Sequence, residues 1–173
     1  MNSSLKVVVS AGLLAMLIVG CGSDGDSQNV SVSDLKGECV EKCTLDGTTS
    51  IETYFNFTDT AVSVQEVTYD NMSCTPEASE ILKDVTVNYN YVLGEDFTTA
   101  LGKKTTKVDL TLTGFNLAEG QLSEQPVVGT KEYTIFYKEN NKLYSGVYDN
   151  DHNGLSDAAR PIVIDFTDPL EVK

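Results

Sequence analysis

Apolar side chains in this chain recur at every second residue, run after run, and that period decides what it can fold into. Ile51, Thr53, Phe55 and Phe57 share one face of a first clear run. Val62, Val64 and Glu66 alternate with Ser63, Gln65, Val67 and Tyr69 in the next. Val85, Val87, Tyr89, Tyr91 and Leu93 form the cleanest stripe, and Thr106, Val108, Leu110 and Leu112 another. Tyr133, Ile135 and Tyr137 alternate with Thr134, Phe136 and Lys138. Past the turn-forming Glu139-Asn140-Asn141-Lys142, the run Leu143 to Tyr148 completes a hairpin. Ile162-Val163-Ile164-Asp165-Phe166 reads as a closing strand, and only Pro76 to Lys83 has a helical look. Successive side chains of a strand point to opposite faces, so this pattern predicts an all-β domain of about eight short strands. Short turns between sequential strands favour a single antiparallel up-and-down barrel over a sandwich, and closure removes exposed edges.

The sequence has 173 residues and a net charge of −14. So acidic a surface repels nucleic acid and anionic headgroups, which excludes a polyphosphate partner. It suits divalent cations, basic partners, or solubility alone. Met1 to Lys6 carry one positive charge, and Val7 to Val19 are an apolar run broken only by Ser10 and Gly12. At roughly 13 residues this run is too short for a finished membrane span but fits a secretory leader. Gly22 to Asp34 is polar, rich in Gly, Ser and Asp, and without periodicity. As flexible chain it reaches about 20 Å, and the folded unit is expected to start near Leu35.

The junction Leu17-Ile18-Val19-Gly20-Cys21 resembles the lipobox of bacterial lipoproteins. The resemblance implies a signal peptide over 1–20, cleavage after Gly20, a diacylglyceryl thioether on Cys21 and an acyl group such as palmitate on the new amino terminus. Residues 21–34 then form the lipidated cysteine and its linker, and 35–173 the β domain. Two or more acyl chains hold a protein stably on a membrane. Gly22 rather than Asp follows the lipid cysteine, so the resemblance implies the outer membrane, on its periplasmic or surface face. Leu35-Lys36-Gly37-Glu38-Cys39 is similar to the Gly-x-Trp opening of lipocalin-like barrels, with Cys39 where that family has tryptophan. That likeness implies an eight-stranded barrel holding a small apolar or amphipathic ligand.

With Cys21 lipidated, Cys39, Cys43 and Cys74 remain in an oxidising compartment. In a regular strand Cys39 and Cys43 stand roughly 13 Å apart, beyond disulfide reach. Cys43–Cys74 is the expected bridge, with Cys39–Cys74 the alternative; either leaves one thiol over.

Asp149-Asn150-Asp151-His152-Asn153-Gly154-Leu155-Ser156-Asp157 has the D-x-[DN]-x-[DN]-G spacing of calcium loops. Calcium takes six to eight oxygens, and alternate residues of a tight loop can converge on one point. Asp149, Asp151, Asn153 and Asp157 would offer side-chain oxygens and Leu155 its carbonyl. Arg160 stands at position twelve, where a sensor loop has glutamate. The same residues also form plain turns. His152, the only histidine, reads as loop surface.

Tyr89, Tyr91, Tyr133 and Tyr137 lie on apolar strand faces, where they either fill the core or line a cavity and orient a ligand. No nucleophile elbow, phosphate loop or His-Glu metal motif is present, so a non-enzymatic role is expected. Two functions follow from this reading. One is a tethered module binding a small apolar or amphipathic molecule. The other is a calcium-stabilised structural, adhesion or envelope-assembly protein.

Overall fold

Each predicted stripe becomes a strand, and neighbouring stripes pair in antiparallel register. The computed structural model describes residues 30–40, 43–75, 81–117, 126–140, 142–167, 169 and 171–172. Leader, lipobox and most of the linker lie outside them. The strands are β1 (Gly37–Val40), β2 (Thr44–Asp46), β3 (Thr49–Phe57), β4 (Ala61–Tyr69), β5 (Ile81–Thr98), β6 (Lys104–Leu117), β7 (Lys131–Glu139), β8 (Lys142–Ser145) and β9 (Glu171–Val172). They lie in the order β8-β7-β6-β5-β4-β3-β1-β9, with β2 also paired to β3. Since β4 occupies one side of β3, β1 and β2 share the other as two pieces of an interrupted strand. The result is an all-β, up-and-down antiparallel sheet of eight strand positions, strongly curled into a half-barrel. Among the described residues, no ladder joins β8 to β9.

Irregularities in the long strands sharpen the curl. The partner of β5 jumps from Asn88↔Gly114 to Tyr89↔Leu112, leaving Thr113 as an extra residue on β6. A second break faces Gly94 and Glu95 of β5 with Lys107 of β6 alone. Such bulges bend a strand and increase its local twist.

The concave face gathers Phe55, Phe57, Val62, Tyr91, Val108, Leu110, Phe136 and Leu143, with Val30 and Leu35 packed among them. Packing thus begins inside the segment read as linker. The Val30 N–H donates to Thr106 Oγ1 at 3.0 Å, and a short helix, α1 (Val32–Leu35), follows. Asp34 there meets Lys138 Nζ at 2.5 Å. Burial pushes the Asp34 carboxyl up, but hydrogen bonds from Lys138 and Ser31 outweigh it and hold its pKa below the usual value.

Three sequence expectations need correction. Ile81 to Lys83 belong to β5, not to a helix; Pro76 to Glu80 lie outside the described residues. The hairpin strand after the turn ends at Ser145 rather than Tyr148. Ile162 to Phe166 form no regular strand; among the described residues their one backbone bridge is Gly146↔Ile164. The reason is placement: this segment crosses the convex face, where Ile164 packs on Ile135 and Tyr137. β7 is therefore buried on both sides, and Thr134 to Lys138 are buried without interruption.

The bridge Cys43–Cys74 forms, with Cα atoms 5.9 Å apart. It ties the start of β2 to the turn leaving β4, across the start of β3. The Cys39 backbone sits in β1 opposite Phe55; its side chain lies outside the described set.

Candidate functional site

β8 pairs only with Phe136 to Glu139, so the first half of β7 lacks a strand on its outer side. The segment after β8 supplies the missing partners. The Tyr133 N–H donates to Gly154 O at 2.9 Å. Arg160 Nη1 donates to Thr134 O at 2.7 Å and to Val108 O at 2.8 Å. Its other nitrogens reach Asp109 Oδ1 at 2.6 Å and Asp157 Oδ1 at 2.7 Å, and the guanidinium lies 5.1 Å from the centre of the Tyr133 ring. A planar fork of five donors can satisfy that many acceptors at once, which a lysine cannot.

The acidic loop is organised around its own backbone. Asp149 Oδ1 accepts from the N–H groups of Asp151, at 2.8 Å, and His152, at 2.7 Å. These bonds, led by that of His152, hold the Asp149 carboxyl below the usual range. Asn153 Oδ1 accepts from the Leu155 N–H at 3.0 Å. Asp157 turns to Arg160, whose hydrogen bonds and charge lower its pKa. Among the described residues, Asp149, Asp151 and Asp157 do not gather into a group able to hold a metal ion. Arg160, at the position a calcium loop gives to glutamate, brings the positive charge itself.

Gly154 is the hinge of this arrangement. It has φ +71°, and a Cβ there would lie 2.5 Å from Tyr148 Cε1 and 2.9 Å from Tyr133 O. Only glycine combines that conformation with so close an approach. The loop thereby presses Tyr148 against the concave core, beside Tyr89.

Here the interior turns polar. Tyr89 Oη donates to Glu132 Oε1 at 3.5 Å, the long limit of a hydrogen bond. The hydroxyls of Tyr148 and Thr134 are buried side by side, and among the described residues neither has a hydrogen-bond partner besides the other. Glu132 and Thr134 share the inner face of β7, two residues apart. Burial pushes the Glu132 carboxyl up to about 6, against a smaller lowering by the Tyr89 hydroxyl. Burial, then the Glu132 charge, raises Tyr89; burial also lifts Tyr148 to about 12. Glu132 itself is half-buried; among the described residues two carboxylates are more deeply buried, and each meets a lysine: Asp34 with Lys138, Glu66 with Lys83. Among the described residues, no cationic nitrogen pairs with Glu132.

Of the four tyrosines read as core filling or cavity lining, the fold brings only Tyr89 here. Tyr91 shares its face, but its hydroxyl donates to Thr58 O at 2.7 Å and its ring packs edge-on against Phe57. Tyr133 and Tyr137 point to the opposite, convex face, under Arg160 and against Phe166 respectively. The parity of β7 separates them: Glu132, Thr134, Phe136 and Lys138 face inward, so their odd-numbered neighbours cannot. Glu132, Thr134 and Tyr148 were missed. Tyr148 hid at the end of an apparent strand, and Glu132 on the less apolar of two buried faces.

Fold and site together define an up-and-down antiparallel half-barrel with a tyrosine–carboxylate cluster in an apolar interior. No family model matches the chain, and no curated protein matches it.

Proposed function

We propose that this chain is a lipid-anchored protein of the bacterial outer membrane whose half-barrel binds a small amphipathic molecule. The lipobox-like junction at Cys21 supports the anchor. The observation that carries the binding reading is the polar cluster: a carboxylate whose described partner is one hydroxyl at 3.5 Å, beside two buried hydroxyls, in an apolar interior. Groups of that kind are costly to bury and are found where a ligand completes them.

Two measurements test it. Labelled palmitate should enter the protein in a bacterial host and be lost in Cys21→Ser; equal labelling would refute the anchor. Solvent extraction of the purified full chain, followed by mass spectrometry, should release a small molecule in near-stoichiometric amount. Tyr148→Ala should lose it, and equal recovery from both proteins would refute binding at this cluster.

The Asp149–Asp157 spacing favours a second reading, a calcium-stabilised structural or envelope-assembly role. It requires Asp157 to leave Arg160. A melting temperature higher in millimolar calcium than in excess chelator, and no longer so in Asp151→Ala, would establish it over the first.

A further inference from the structure

We infer that Glu132, Tyr89, Thr134 and Tyr148 form a binding site for the ammonium group of a small amphipathic amine. The inference rests on the binding reading above and adds the chemistry of the ligand's head.

The donor and acceptor inventory selects that head. Glu132 contributes a carboxylate whose one near partner among the described residues is the Tyr89 hydroxyl at 3.5 Å. The Tyr148 and Thr134 oxygens have only each other as partners among the described residues, and each keeps a lone pair able to accept. An ammonium carries three donors and no acceptor, so it can serve a carboxylate and two hydroxyls at once. An anionic head would face Glu132 with like charge. A neutral alcohol would satisfy a hydroxyl and leave the carboxylate uncompensated.

The fold shows the same solution twice elsewhere. Lys138 meets Asp34 at 2.5 Å, and Lys83 meets Glu66 at 2.6 Å. The chain supplies an alkylammonium to each of those buried carboxylates; at Glu132 the ligand supplies it. The rings of Tyr89 and Tyr148 add π faces that attract a cation. Beyond them, Tyr91, Leu110 and Val108 make the adjoining interior apolar.

The test uses the full chain in lipid nanodiscs, labelled with carbon-13 at the glutamate side-chain carboxyls. The Glu132 signal is assigned by its loss in Glu132→Gln. Hexylammonium, hexanol and hexanoate, matched in chain length, are titrated in turn at pH 7. Hexylammonium should shift the Glu132 resonance saturably, and the other two should leave it in place. Measured by displacement, Glu132→Gln should weaken hexylammonium at least about tenfold, as loss of a charge-assisted bond does. Tyr148→Phe should weaken it several-fold with the fold intact.

If all three compounds bind alike and Glu132→Gln makes no difference, the ammonium assignment falls and the binding reading stands. If none binds, both fall.

Discussion

Glu132 and Arg160 show how much one side chain can decide here. The folded state raises the Glu132 pKa from the ordinary 4.5 to about 6, so this group favours folding at low pH. Its contribution is full below the unfolded value and is lost as pH rises through the folded one, between about 4.5 and 6. Ionised Glu132 therefore costs the fold about 2 kcal/mol above that window. Glu132→Gln should raise the melting temperature at pH 8 and leave it nearly unchanged at pH 4.5; a drop at pH 8 would mean the carboxylate stabilises the fold. Arg160 acts in the other direction. It is 6 % exposed and serves two carbonyls and two carboxylates. Arg160→Ala should cost roughly 3 kcal/mol, the scale of leaving two buried carbonyls without their donor, as read by denaturant unfolding. Arg160→Lys should recover only part, because an ammonium cannot reproduce the fork.

At the scale of elements, the loop from Tyr148 to Arg160 behaves as a substitute strand for the outer side of β7. Gly154→Ala should cost a few kcal/mol, since it adds strain at positive φ to a clash with a ring and a carbonyl. Tyrosine fluorescence should report Tyr148 leaving the interior before global unfolding; a single coincident transition would show the loop and sheet to be one unit. The strands with one solvated face were legible in the sequence, because Asn88 and Asn90 opposite Val87, Tyr89 and Tyr91 leave no doubt about which side is inside. β7 was legible as a strand but not in its orientation. Both its faces are covered, so Ile135 and Phe136 are equally buried and alternation carries no sign. Ile162 to Phe166 have strand composition but lie across β7's convex face, a tertiary outcome that local propensity does not record. The D-x-D-x-N-G spacing was legible as a tight loop around Gly154. That its charge balance comes from Arg160 depends on contacts with Asp109 and Val108, about 50 positions earlier in the chain.

For the molecule as a whole, the disulfide closes a loop of 31 residues and clamps the strand ends that flank β3. Replacing Cys43 and Cys74 by serine should lower stability by between about 3 and 4 kcal/mol, on the loop-entropy scale. Equal denaturation midpoints with and without reductant would contradict this. A last consequence follows from the pairing of β9 with β1, where Val172 faces Cys39. The first and last strands of the sheet are neighbours, so the chain runs around the half-barrel and returns to its starting edge. Its connectivity is thus close to circular. A permuted gene that joins residue 172 to residue 30 through a short Gly/Ser linker, and opens at the exposed Ala100–Leu101 turn, should produce the same sheet. A reporter fused after β9 would then emerge beside β1, at the edge where the sheet begins.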